Sequence, residues 1–401
     1  MTRAAPFITA GALWLSGALA SAAVGAEAVL ADGRSLADAQ LTGCRFDATA
    51  RTATLEADGQ THQTDRLVRF GEPAAPSRRP AIVLGDGSLL LADRGWSPTG
   101  LVQIRDDTVG VRRGSGWVSA PRSAVRWVAP DLSAIDRVEG EEFPEDSDLV
   151  LLASGDRVAG RVVALTAETA NVEVAGEAIQ VPLEEVAAVR LGGPREASPA
   201  SGLIGYGDGS LVRASAIAID GDKATATTPD GVQIESDAAS VVFVQPLGGP
   251  VRYLSDTEPV DYRHTPYLDL AWPYARDEGL LGGPLEGGGR RAAKGLAMHS
   301  AARLVYKLGP EAQRFRCDVA VADPPPESSA EGSVVFRVYL VREGAFALAY
   351  DSGVVRAGDA ALPVDVDLTG AAALALVVDY ADNGDAGDEA LWLDARLVMA
   401  E

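Results

Sequence analysis

The sequence predicts an all-β chain: small β-barrels in tandem, followed by a two-sheet β-sandwich. Short apolar runs of β pattern recur between Gly-centred turns, and the last third shows no long helical period. Gly (43) and Pro (23) are plentiful, as many tight turns require. A turn signature also recurs four times along the first 250 or so residues.

At 401 residues the chain has room for two or three ordinary domains. Its net charge of -22 argues against nucleic acid, where phosphate binding needs Lys and Arg, and against anionic membrane surfaces. Cations and neutral polymers remain compatible with such a surface, whose ordinary meaning is solubility.

Residues 1–26 have the pattern of a signal peptide. Arg3 supplies a short positive start, an apolar run follows over residues 4–20, and Val24-Gly25-Ala26 offers small residues before a cut. Ala20-Ser21-Ala22 is an alternative cut, and an uncleaved anchor is the competing reading. No later segment approaches about 20 apolar residues, so the mature chain is expected without a membrane span, in the periplasm or outside the cell. Cys44 and Cys317 fall in different expected domains. Export permits a disulfide, but two such distant cysteines read better as buried single thiols.

The four turns are Asp32-Gly33-Arg34-Ser35, Asp86-Gly87-Ser88, Ser154-Gly155-Asp156-Arg157 and Asp208-Gly209-Ser210. Each follows a short apolar run and precedes, roughly 35 residues on, a closing one. The expected units are 27–75, 78–130, 148–193 and 201–248. The third is the clearest: period-two alternation over 154–163, a turn at 166–169, a Gly176 turn, and a closing run to Leu191. About five strands in some 50 residues is the size of a small barrel. Gly160 is expected to relieve crowding where a strand bends. Gly155-Asp156-Arg157-Val158-Ala159-Gly160-Arg161-Val162 resembles the Sm-like and SH3-like small barrels; the second copy departs, with Gly95-Trp96 at the bend. Many Sm-like proteins bind RNA, but the charge argues for spacers or protein-interaction modules here. Residues 131–147 form an acidic stretch, expected as a solvated linker between barrel pairs, and Asp148 ends its run of acids.

From Val251 the pattern changes. Strands are expected near 251–254, 303–308, 314–321, 332–341, 346–351, 363–368, 373–380 and 391–398, with loops over 259–291 and 323–332. Such a count over residues 251–401 suggests a jelly roll. Lys294-Gly-Leu-Ala-Met-His299, Gly332-Ser-Val-Val-Phe336 and Trp392-Leu-Asp-Ala-Arg396, in that order, resemble the NPCBM family. That resemblance implies a galactose-binding-like jelly roll that binds carbohydrate, found beside glycoside hydrolases. The chain departs from the family at Val321-Ala-Asp-Pro-Pro-Pro326 and at Glu389, where a His is common.

The sequence offers no persuasive catalytic set: no Gly-x-Ser-x-Gly, HExxH or phosphate loop. His299 reads as a buried structural histidine. Sugar binding needs an exposed aromatic plane with a few planar polar groups. Trp272 and Tyr274, in a Pro-containing loop, are the stacking candidates, with Arg276, Asp277 and Arg303 as polar partners. Trp392 reads as core. Asp379, Asp382, Asn383, Asp385 and Asp388 are the candidate ligands of a structural calcium ion, since hard oxygens on a Gly-rich loop suit it. The expected function is an exported, non-catalytic protein that binds carbohydrate or a cell-envelope glycan. The alternative is a cell-envelope scaffold that binds other envelope proteins and no glycan.

Overall fold

The computed structural model describes residues 25–93, 101–114, 116–130, 132–136, 147–193, 199–266, 270–324, 332–382 and 384–400. The expected signal peptide (its last two residues apart), Gly95-Trp96 and most of the acidic linker lie outside the described residues.

The described chain is almost entirely antiparallel β-structure. In the first repeat, Ala26–Leu30 pairs with both Ser35–Phe46 and Leu67–Gly71. Ser35–Phe46 pairs onward to Arg51–Ala57, which pairs with Gln60–Thr64. The third repeat has the same order: Asp148–Leu152 lies between Arg157–Leu165 and Val186–Arg190, and Thr169–Val174 and Glu177–Pro182 follow outward. In the second and fourth repeats the long second strand is interrupted, into Leu89–Leu91 and Val102–Arg105, and into Leu211–Ala214 and Ala216–Asp220. Gly160 sits where crowding demands it: a Cβ there would meet the Glu173 carbonyl oxygen at 2.6 Å.

The repeats do not pair in chain order. A linker between two barrel pairs implies first with second and third with fourth, but the strand pairing joins first with fourth and second with third. The closing strands meet edge to edge, Leu67–Gly71 on Val241–Pro246 and Val125–Ala129 on Val186–Arg190. The second strands meet too, Ser35–Phe46 on Ala216–Asp220 and Val102–Arg105 on Arg157–Leu165. Pairing edge to edge removes exposed strand edges that would otherwise recruit other chains. One apolar core runs through all four, from Phe46 and Leu67 to Ile82, Val162, Val189 and Ile204.

Two of the turn signatures lock the pairs together. The Ser88 hydroxyl accepts a hydrogen bond from the Arg213 amide (2.9 Å), and the Ser210 hydroxyl accepts one from the Leu91 amide (3.0 Å). Both serines are buried. Within each turn the aspartate closes the bend: Asp86 and Asp208 each accept from the amide two residues on, at 2.8 Å. Asp148 does not close a solvated linker; it is buried, paired with Arg122, and accepts from the Val162 and Gly192 amides at 2.7 and 2.9 Å.

The C-terminal unit is a two-sheet sandwich. One sheet runs in the order Asp261–His264, Ala302–Lys307, Ala373–Tyr380, Ser333–Arg342, Ala345–Arg356; the other runs Ala275–Arg276, Gly295–His299, Glu389–Met399, Ala312–Val321, Leu362–Asp367, with Val251–Tyr253 also on Glu389–Met399. The stretch 259–291, expected as loop, therefore supplies an edge strand to each sheet. Trp392 is fully buried between Phe315 and Phe336, as expected of a core residue. Both cysteines are free and buried.

The sandwich is joined to the first and fourth repeats by a small apolar patch (Val29, Ala31, Val68, Val251, Tyr253, Val398) and by buried ions. Arg69 holds Asp394 at 3.1 Å and Glu27 at 2.6 Å. Gln245 donates to Asp394 at 2.9 Å and to the Tyr253 hydroxyl at 2.8 Å. Arg316 reaches back to the Ala31 carbonyl, 2.8 Å.

Candidate ligand-binding site

Along the strand Asp261–His264, side chains alternate. Asp261 and Arg263 fall on one face of the sheet, and Tyr262 and His264 on the other. Tyr262 and His264 begin an aromatic row that bridges the edge strands of the two sheets. The Tyr262 hydroxyl donates to the Trp272 carbonyl (2.6 Å), its ring meets Tyr274 at 5.0 Å, and the Trp272 amide donates to His264 Nδ1 at 3.1 Å. These bonds pin the loop before Ala275–Arg276 across the edge of the sandwich.

Trp272 is half-buried, and its indole stacks on the His299 imidazole with centroids 5.1 Å apart and planes 3° from parallel. His264 meets His299 edge-on at 5.7 Å. His299 ends the strand Gly295–His299; after it Ser300 is buried, and Ala301 turns the chain at a φ of 57°, a conformation rarely adopted by residues with side chains. Beside them lies Asp388, 1% exposed, with Oδ1 accepting from the Ser333 amide at 2.8 Å. Burial pushes the Asp388 carboxyl up to about 6, against its hydrogen bond from the Ser333 amide, and the Asp385 charge adds to the rise. Burial also pushes the His299 imidazole down, so it favours the neutral form, with Asp385 pulling the other way.

The polar capacity of this cluster is not used up within the protein. His299 Nδ1 and Asp388 Oδ2 are buried without a hydrogen-bond partner. Buried polar atoms left open are costly and in native proteins generally answer to water, an ion or a ligand. Two or three open polar atoms around an aromatic plane are what a polyhydroxylated ring requires.

Trp272 is thus the one expected ligand residue inside this cluster. Tyr274 and Arg276 adjoin it but are engaged: Arg276 pairs with Glu258 at 2.6 Å and with the Tyr274 hydroxyl at 2.6 Å. Asp277 serves the fold. It pairs with the buried Lys294 and accepts from the Gly295 amide at 3.0 Å, while Lys294 also holds Asp256 at 2.6 Å. A Cβ at Gly295 would meet the Trp392 carbonyl oxygen at 2.5 Å, so the Lys-Gly pair of the motif is structural. Arg303 lies elsewhere, on the outer face of the five-stranded sheet, paired with Asp261 at 2.5 Å.

The five expected calcium ligands are not gathered. Asp379 pairs with Arg337 and Asp382 with Arg356, Asn383 lies outside the described residues, and Asp388 gives one oxygen to the Ser333 amide. Among the described residues no three His, Cys, Asp or Glu side chains are arranged to hold a metal ion. Glu389, where the family often has His, accepts from the Leu280 amide at 2.7 Å and anchors that turn.

His264, Ser300 and the open oxygen of Asp388 were not singled out from the sequence as contact groups. One signal was available: two of the three histidines in the chain, His264 and His299, flank the aromatic loop.

Comparison with known proteins bears on the sandwich. The family model of the NPCBM/NEW2 domain matches residues 251–398. No curated protein matches the chain. Among solved structures, the chain is similar to the CBM51-2 and INT domains of Clostridium perfringens ZmpB with GlcNAc (22% identity, TM-score 0.33), covering 45% of this chain and 36% of that one. It is also similar to the CBM51 of Clostridium perfringens GH95 with methyl-galactose (25% identity, TM-score 0.31), covering 37% of this chain and 99% of that one. A third is the pair of tandem CBM51 modules from a Streptococcus pneumoniae family 98 glycoside hydrolase (14% identity, TM-score 0.32), covering 80% and 88%. The chain spans about a third of the first of these. The sandwich that carries the Trp272 cluster is an NPCBM/NEW2 domain, residues 251–398.

Proposed function

We propose that the NPCBM/NEW2 domain binds carbohydrate through the cluster of Trp272, His264, His299, Ser300 and Asp388. One observation carries the reading: polar atoms of His299 and Asp388 are buried and unpaired beside a half-buried indole. A sugar would lay its C–H face on aromatic surface and reach these atoms with its hydroxyls through bridging water. In this reading the chain is exported, because its N-terminal residues have the pattern of a signal peptide. No helix among the described residues is long and apolar enough to cross a membrane. The chain is a binding protein and not an enzyme, and the repeats hold the domain as a fixed platform through Arg69 and Gln245. Its partner is a carbohydrate or a cell-envelope glycan. No step is assigned to calcium.

The test is a glycan screen of the whole chain, with methyl-galactose and N-acetylglucosamine among the probes, run with calcium and with chelator. A saccharide that binds the wild type and is lost in Trp272→Ala, with folding intact by circular dichroism, supports the reading. Binding unaffected by chelator is expected. A cooperatively folded chain that binds no saccharide overturns the reading and favours the scaffold alternative.

A further inference from the structure

We infer that the domain takes an oligosaccharide rather than a single sugar, using the outer face of its five-stranded sheet as a second contact surface; this rests on the carbohydrate reading above. That face carries a cleft of about 390 Å³, lined by Arg263, Arg303, Tyr339, Phe346 and Asp379 over a floor that includes Ala375. The volume falls within the range of small-molecule sites, about 300–1,000 Å³. Strand register builds it. Arg263 lies opposite Arg303, Arg303 opposite Val377, and Tyr339 opposite Ala375, so these side chains share one face. The alanine leaves space between the arginines and the aromatic side chains.

The chemistry of the cleft narrows its occupant. Phe346 is 65% exposed, an aromatic ring left in solvent on the edge strand. Arg303 Nε is buried without a hydrogen-bond partner, although its other end pairs with Asp261. Arg263 makes no ion pair among the described residues. Asp379 is held by Arg337, which also holds Asp351. Three arginines thus stand with three aspartates (261, 351 and 379), and Lys307 lies farther along the same face, so its charge is nearly balanced on a chain of net charge -22. A polyanion gains little there and meets the Asp379 carboxylate. An apolar peptide would bury the exposed Arg263 guanidinium unpaired, at a cost. A neutral polyhydroxylated chain suits both the rings and the charge: ring faces on Phe346 and Tyr339, hydroxyl oxygens to the guanidinium donors.

The cleft also adjoins the Trp272 cluster. Its lining includes Thr265 and Ala301, each one residue beyond a cluster histidine or serine, and the Thr265 amide donates to the Ala301 carbonyl at 2.9 Å. The two surfaces meet at this edge strand, and a glycan chain seated on the cluster would reach the sheet face by passing around it.

The experiment uses the whole chain and calorimetric titration with N-acetylglucosamine and its β-1,4 tetramer, and with methyl-galactose and β-1,4-galactotetraose. Expected is a tetramer that binds about tenfold tighter than its monosaccharide. Phe346→Ala and Arg263→Ala, both at exposed positions, should each remove most of that gain and leave monosaccharide affinity unchanged. Trp272→Ala should remove both. Equal affinity for monomer and tetramer, or a tetramer gain that survives Phe346→Ala and Arg263→Ala, overturns the inference while sparing the carbohydrate reading. Failure of every saccharide to bind the wild type overturns both. A change in self-association of Phe346→Ala by light scattering, with the tetramer gain intact, also overturns it and marks the edge as a contact between protein chains.

Discussion

The indole of Trp272 lies flat on the imidazole of His299, 5.1 Å between centroids, and so a loop residue is fixed by the last residue of a core strand. Trp272 is thereby oriented before any ligand arrives, which lowers the ordering cost of binding. Removing the indole should cost binding far more than stability. We expect Trp272→Ala to weaken saccharide binding by about tenfold to a hundredfold. Trp272→Phe should retain part of the affinity. Titration calorimetry with thermal unfolding on the same samples checks this; an Ala variant with wild-type affinity would remove Trp272 from the site.

The Asp388 carboxyl sets a pH dependence. Its folded value, about 6, lies above the ordinary 3.8. Between these values the folded state holds more protons than the unfolded one, so stability falls as pH rises from about 4 to about 6. The loss, about 1–3 kcal/mol, is complete above pH of about 6. Asp388→Asn keeps an oxygen for the Ser333 amide and should flatten the profile. Thermal unfolding of both forms in steps from pH 4 to pH 7 reads this; parallel profiles would reject the assignment.

The reciprocal serines make a stability prediction. Ser88→Ala or Ser210→Ala leaves a strand amide, half-buried at Arg213 or buried at Leu91, without its acceptor. Each should cost about 1–3 kcal/mol. Ser154→Ala, in the exposed turn of the third repeat, should cost less than about 0.5 kcal/mol. Urea unfolding of the three variants side by side decides it, and three equal losses would count against the interlock.

Arg69 is buried between the repeats and the sandwich, with Asp394 also buried beneath it. Arg69→Ala strands the Asp394 charge and should destabilise by about 3–5 kcal/mol. Adding Asp394→Asn should recover part of that loss. Calorimetric scans test the coupling. Strict additivity of the two substitutions would show that the pair does not couple the two parts.

Much of the fold was legible because period-two alternation and Gly-centred turns are local properties. The four repeats, the strands after Ala302 and the core position of Trp392 follow from them. The pairing of first with fourth repeat does not. It depends on which closing strands meet, and Leu67–Gly71 and Val125–Ala129 are both short apolar runs that carry no label for a distant partner. The expected calcium ligands are dispersed for a related reason. A run of acids on one loop reads as a cage, yet Arg337 and Arg356, from other strands, claim two of its members.

By itself, then, the sequence determined that this is an acidic all-β chain with a C-terminal sandwich and an aromatic loop at residues 272–274. Only the tertiary structure decided which residues surround that loop. His264, His299 and Asp388 arrive from three separate strands or loops. Their open polar atoms exist only because packing buries them where the protein offers no further partner. Burial and partnership are properties of the assembled sheets, and no local pattern encodes them.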